Sequence, residues 1–405
     1  MRELLLGAGL LKKLWLAIGF LSLAVTGCDR HEDNAMKPSA FVEIYRTTEK
    51  TGRFIINPQF DAVAPFSEGL AAVRIGDAKS GKWGFIDKQG KMVINPQFDW
   101  PSSFSEGLAA VRIGGDALVD DRIGDFLNGK WGYIDKQGKM VINPQYDDGS
   151  SFHEDVAKVR IGDFATGKSG FIDKQGAIVI NPQFNSAESF SEGLALVRID
   201  DWPSKWHFID HQGRIAVNSQ FDSAESFSEG LAQIVVGGGA QTDEPGKWGF
   251  LDRHGKMVIN PQFALAFPFS EGLAAVRVGD DKNGKYGFID KQGKMVINPQ
   301  FVDVEPFSEG LAAVRVGDDK NGKYGFIDKQ GKVAISPQFN WTSEFSEGLA
   351  AVRVGDDETG KWGFIDKQGK MVINPQFDRA SPFSEGMAEV RIGGGAAGKY
   401  GYISR

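Results

Sequence analysis

Short apolar runs separated by polar, glycine-bearing breaks follow one another along almost the whole chain. In one stretch the runs are 273–278 (LAAVRV), 285–290 (KYGFID) and 294–297 (KMVI). They are β-branched or aromatic and roughly alternating, as half-buried strands are. The breaks between them, GDDKNG and KQG, supply the residues that tolerate positive backbone angles in hairpin turns. Glycine interrupts each run too early for a helix to form, so the pattern predicts an all-β protein built of three-stranded meanders.

The pattern recurs. NPQF or a near copy begins at Asn57, Asn95, Asn143, Asn181, Asn218, Asn260, Asn298, Ser336 and Asn374, mostly 38 residues apart. An aromatic residue followed by glycine recurs at Trp83, Trp131, Trp248, Tyr286, Tyr324, Trp362 and Tyr400, with Ser169-Gly170 and Trp206-His207 as degenerate copies. Nine units fill residues 53–405, which excludes two or three independent globular domains. Proline in NPQF removes a ladder donor, so this segment is expected to leave the sheet and lead to the next unit.

Two arrangements suit such units. The repeats begin in the third strand and end after the second, so the first strand could complete the last unit in a closed, propeller-like ring. Against this, residues 41–52 echo the second strand: Tyr45 precedes Trp83 by one period and Gly52 precedes Gly90 likewise. Read as a degenerate cap, this stretch favours an open, twisted β-solenoid.

Composition adds limits. The 405 residues include 52 glycines, 5 histidines and 1 cysteine. One cysteine excludes an internal disulfide framework and a cysteine-based zinc site. The net charge of −7 argues against nucleic acid as a partner. No cofactor is implied, and no serine-hydrolase, zinc-protease or phosphate-loop signature is present.

The amino terminus looks like an address. An apolar run at 14–27 follows Lys12-Lys13 and is too short to span a bilayer comfortably, but suits a signal-peptide core. It ends Val25-Thr26-Gly27-Cys28, which resembles a bacterial lipobox. Residues 1–27 are therefore expected to be a lipoprotein signal peptide, Cys28 the lipidated residue and 28–40 a flexible tether. Asp29 resembles the signal that retains such proteins on the inner membrane facing the periplasm. On this reading the membrane contact is through the lipid alone.

The repeated string GK-W-GFIDKQGK-VINPQF, followed by FSEGLA-VR, resembles the WG-repeat (KWG) proteins of bacteria across residues 53–405. That resemblance implies a β-repeat scaffold, commonly secreted or envelope-associated, with no general enzymatic activity.

Recurrence separates scaffold from candidate site. The aromatic of each WG pair is expected to pack between units. A recurring Glu, a recurring Arg and a recurring Asp are expected to form Arg–carboxylate ladders and turn caps. The Asp-rich turns at 280–284, 318–322 and 356–360 are read as hairpin turns rather than calcium loops, and the histidines as drift. Trp100, Trp202 and Trp341 lie outside the repeat pattern and are candidates for a ligand platform, as are the enlarged turns at 114–129 and 237–246. The expected function is a non-catalytic, lipid-anchored envelope scaffold binding a protein partner; the alternative is a carbohydrate or peptidoglycan module using the three tryptophans.

Overall fold

The computed structural model describes residues 52–405, apart from 116–128, 164, 200–204, 219–220, 239–245, 281–282, 319–320 and 357. The expected signal peptide, Cys28, the tether, most of the cap and Trp202 lie outside the described residues. Lys50–Arg405 form one compact unit.

Nine separate four-stranded antiparallel sheets make up this unit. Blade 1 is representative. An inner strand of two residues, Ala62–Val63, pairs with Leu70–Ile75; this pairs with Lys82–Asp87, and that with the outer strand Met92–Phe98. Blades 2 to 8 repeat the order, starting at Trp100, Asp148, Ser186, Ser223, Leu265, Asp303 and Trp341. Blade 9 is composite. Its inner three strands are Arg379–Ala380, Met387–Ile392 and Lys399–Ser404, and its fourth is Phe54–Phe60 from the start of the unit. This is the strand-completed closure of a β-propeller.

The expected open solenoid is thus corrected to a nine-bladed ring. The packing gives the reason. Nine hydrophobic cores lie between consecutive blades, including one that joins blade 9 (Ile56, Phe60, Met387, Tyr402) to blade 1 (Phe66, Ala71, Val73, Ile86). An open row of nine would have eight. In each joint one blade presents residues of its third and outer strands, and the next presents a phenylalanine that precedes its second strand together with alternate residues of that strand: Phe288, Ile297 and Phe301 of blade 6 meet Phe307, Ala312 and Val314 of blade 7.

The three-stranded unit is also corrected. NPQF does not leave the sheet: it is the second half of the outer strand, carried through a bulge. Trp83 pairs with Phe98 and Phe85 with Ile94, so two steps on one strand face four on the other. A proline is admissible there because the outer strand is an edge and the bulge already breaks the ladder. The same bulge blunts an edge that would otherwise invite pairing with other chains. After one linking residue the chain enters the next blade's inner strand, which at two residues is too short to show a periodic pattern in the sequence.

The WG glycine is the counterpart of this bulge. A Cβ on Gly84 would lie 2.4 Å from the Ile94 carbonyl oxygen and 2.7 Å from the Pro96 nitrogen, and Gly132, Gly170, Gly249, Gly287, Gly325, Gly363 and Gly401 meet the same obstruction. Blade 4 tests the relation internally. There His207 replaces the glycine, NPQF reads NSQF, and the described part of the outer strand is Ile215–Val217, residues 219–220 lying outside the described residues.

Candidate interaction surface

Most recurring polar residues are engaged in joining blades. The glutamate of each Ser-Glu-Gly turn sits at φ between 52° and 55°, in the left-handed region that non-glycine residues seldom adopt. Each glutamate reaches forward to the following blade. Glu271 accepts from Gly310 N–H at 2.9 Å and pairs with Lys329 at 3.0 Å. Glu68 treats Gly107 and Lys136 alike, and Glu309 treats Gly348 and Lys367 alike. Where lysine is replaced, His211 stands beside Glu154 at 3.0 Å and Arg253 beside Glu192 at 2.8 Å. At the seam Glu385 takes Gly69 N–H and Lys88. Burial opposes ionisation of Glu68, Glu192, Glu271 and Glu385. The cation and backbone amides outweigh it and hold these carboxyls below the ordinary glutamate value.

The serines of these turns add a second stitch. Ser270 Oγ donates to the Phe307 carbonyl at 2.7 Å, and Ser384 of blade 9 donates to Phe66 of blade 1 at 2.9 Å. On the opposite rim a lysine beside the WG pair meets the Asp that follows NPQF: Lys361 with Asp378, and Lys399 with Asp61 across the seam, each at 2.5 Å. The same Asp61 accepts from Gly76 N–H within its own blade.

The recurring Glu therefore clasps a lysine, or His211 or Arg253, of the following blade rather than the recurring Arg. Arg74, Arg198, Arg315 and Arg391 lie over the aromatics to which they are paired in register. Arg74 is 5.8 Å from the Trp83 ring centroid and Arg315 the same distance from Tyr324. Arg160 donates to the Asn185 carbonyl of the next blade at 3.0 Å. The recurring Asp caps its turn as expected: Asp290 Oδ1 accepts from Gln292 N–H at 3.0 Å and Lys294 N–H at 2.9 Å.

Trp83, Tyr286 and Tyr324 are buried in the joints, while Trp131, Trp248 and Trp362 are half-buried against them and Tyr400 is half-buried beneath Arg391. The carboxylates of Asp280, Asp318 and Asp356 accept from amides of their own turns. His211 stacks on Phe190 with ring centroids 4.0 Å apart. Among the described residues no group of three or more His, Cys, Asp or Glu is placed to hold a metal ion.

The inner strands and the segments after them vary from blade to blade, whereas the enlarged turns at 114–129 and 237–246 lie largely outside the described residues. Trp100 and Trp341 open the inner strands of blades 2 and 8, are 45% and 46% exposed, and lean on the WG aromatic of the preceding blade. Centroid distances are 5.9 Å for Trp83–Trp100 and 5.5 Å for Tyr324–Trp341. The ring does not bring the two together, since blades 9 and 1 stand between them. Elsewhere the corresponding position holds Ala62, Asp148, Ser186, Ser223, Leu265, Asp303 or Arg379. Asp303 accepts from the Tyr324 hydroxyl at 2.6 Å, and Asp148 pairs with Lys158 at 3.2 Å. Two residues further along, Glu188 and Glu225 are exposed on adjacent blades; the protein packed around Glu225 and the Glu188 charge push its carboxyl above the ordinary value. Sequence reasoning missed this inner edge because it did not resolve the inner strand.

Fold and packing define a nine-bladed β-propeller. The family model described as "WG containing repeat" matches residues 49–77, 83–115, 131–163, 170–206, 206–239, 248–282, 286–320, 324–356 and 362–395, and the chain belongs to that family. Comparison with curated proteins finds no match. Among solved structures, a eukaryotic initiation factor is similar, with TM-score 0.55 and 11% identity, over 82% of this chain and 91% of its own. A prolyl endopeptidase gives TM-score 0.43 at 11% identity over 73% of this chain and 53% of its own. Dipeptidyl peptidase 4 of Porphyromonas gingivalis gives 0.41 at 9% over 89% and 59%. At such identity the first likeness concerns the fold alone, and the others are too distant to say more.

Proposed function

We propose that this protein is a non-catalytic scaffold, lipid-anchored through Cys28 in a bacterial envelope, that binds a protein partner with the inner edge of its ring. The observation that carries this reading is the division of labour among side chains. Repeated polar groups are spent between blades, and the inner strands and the segments following them carry residues that differ from blade to blade. A rigid ring that varies along one edge is how repeat scaffolds present specificity. The address rests on the lipobox-like Val25-Thr26-Gly27-Cys28 and on Asp29.

The test is affinity purification from detergent-solubilised envelopes with the wild-type chain, with Glu188→Lys/Trp341→Ala, and with Glu271→Gln. A reproducible partner lost only in the inner-edge variant supports the reading; no reproducible partner counts against it. Cys28→Ser should abolish labelling by a fatty-acid probe, and persistent labelling would refute the anchor.

A second reading, a carbohydrate or peptidoglycan module, is favoured by the half-exposed Trp100 and Trp341, each set on a neighbouring aromatic. Binding on a glycan array that survives Trp100→Ala and Trp341→Ala would end it, as would no binding at all.

A further inference from the structure

The joint between blades 9 and 1 carries a group that the structure's other joints do not. At the third position of the second strand five blades have a buried alanine: Ala72, Ala110, Ala275, Ala313 and Ala351. In blade 9 this position is Glu389, on the strand face that meets the next blade, paired in register with Tyr402. Its Oε1 is fully enclosed and has no hydrogen-bond partner among the described residues, and the carboxyl's one recorded polar contact is with Ser381 Oγ at 3.3 Å. The Tyr402 hydroxyl is already engaged, donating to the Ala64 carbonyl of blade 1 at 2.9 Å. Blade 9 is also where the two ends of the unit meet: no turn joins Phe54–Phe60 to Lys399–Ser404, so pairing and packing alone hold the fourth strand on its blade.

We propose that Glu389 makes the closing seam a protonation-dependent latch, shut when the carboxyl is neutral and loosened when it ionises. An ionised carboxylate in that place has an enclosed oxygen and a single weak donor, which the seam can relieve only by admitting water. Among the described residues no cation compensates it from the surrounding elements. Arg391 on the same strand donates to the Gly395 carbonyl and lies over the Tyr400 ring, and Arg379 faces Arg391 across the inner strand pair. From blade 1, Asp61 is held by Lys399 and Gly76. Tyr402, the titratable neighbour on the third strand, is kept neutral because burial raises its hydroxyl beyond the working range. Burial likewise pushes the Glu389 carboxyl up to about 7, slightly opposed by Ser381. A raised folded-state value means that this stabilisation is complete below the ordinary glutamate value near 4.5 and is lost as pH climbs through about 7.

Amide hydrogen exchange of the full chain between pH 5 and 8, corrected for intrinsic rates, tests the latch. The readout is protection in Phe54–Phe60 relative to Met92–Phe98, the same strand in a joint without a buried acid. The opening constant of the seam should rise by up to about tenfold per pH unit until about pH 7, with the reference strand flat. Glu389→Gln should abolish the difference in slope. Glu389→Ala, the ring's own choice at five blades, should abolish it and raise protection. Equal slopes at seam and reference in the wild type, or an unchanged slope in both variants, would overturn the proposal.

Discussion

Glu385 of the last blade accepts a hydrogen bond from the backbone N–H of Gly69 in the first, 2.9 Å away across 316 residues of chain. It makes the contact that Glu271 makes to Gly310 between neighbours in sequence. The seam is thus built from the same parts as the other joints, with Asp61 linking the blades as Asp99 links blades 1 and 2, and what is missing is the turn that would join Lys399–Ser404 to Phe54–Phe60 within blade 9. That equivalence makes the ring testable.

Removing the strand that completes blade 9 should open it. A chain beginning at Lys50 should give the compact scattering profile of a ring, while one beginning at Ala62 should show a larger radius of gyration and lose the cooperative transition of the intact form. Indistinguishable small-angle scattering from the two would contradict strand-completed closure.

Glu271→Ala removes a charge-assisted bond to a backbone amide and an ion pair that is in part exposed, and should cost about 1 kcal/mol in chemical denaturation. The pH dependence has a definite sign. The clasp carboxyls of Glu68, Glu192, Glu271 and Glu385 are held below the ordinary value, so their stabilisation is present above about pH 4.5 and lost as the solution is acidified. Converting these four to Gln should flatten the acid limb of a stability–pH curve, and an unaltered limb would show that the clasps are not its source.

Gly287→Ala places a methyl 2.4 Å from the Ile297 carbonyl oxygen, where backbone on both sides must move. A loss of about 3 kcal/mol or more is expected. Gly310 is a control: its φ is +87° but no atom lies within 4 Å of a Cβ there, so Gly310→Ala should cost about 1 kcal/mol from backbone strain alone. Equal costs in denaturant melts would mean that the bulge does not need the glycine.

Trp83→Ala should cost about 3–5 kcal/mol because it empties a buried site between blades 1 and 2. Trp100→Ala, at a half-exposed position, should cost about 1 kcal/mol and leave the ring intact by circular dichroism. If Trp100 proves as costly as Trp83, it is core and not available to a ligand.

Much of the scaffold was legible in the sequence. The 38-residue spacing, the glycine turns and the alternating apolar runs revealed nine all-β units. The inner strand was not, because two residues such as Ala62–Val63 leave no periodic trace. Pro96 misled, since proline marks a break in most strands and here sits in a bulge at an edge. Closure was misjudged on the echo of Gly52, whereas the decisive contacts join residues more than 300 apart. One signal for the clasp was in plain view. The position of Lys329 holds His211 in blade 4, Arg253 in blade 5 and Arg405 at the carboxyl end, always a group that can donate to a carboxylate or carbonyl. The inner-edge candidates were legible only as exceptions: Trp100 and Trp341 stood out because they broke the repeat, but nothing in the sequence showed that two blades separate them.

Each clasp points the same way, from a blade to its successor and never back. Contacts of that head-to-tail kind have no symmetry of their own, and whether they make a circle or an endless helix depends on the turn built into each. With nine blades that turn averages about 40°. Excising one unit would ask every remaining joint to turn about 45°, spreading a small misfit over eight interfaces at once. Blade number is therefore a property written into the angle of the joint, copied nine times, rather than into any single residue.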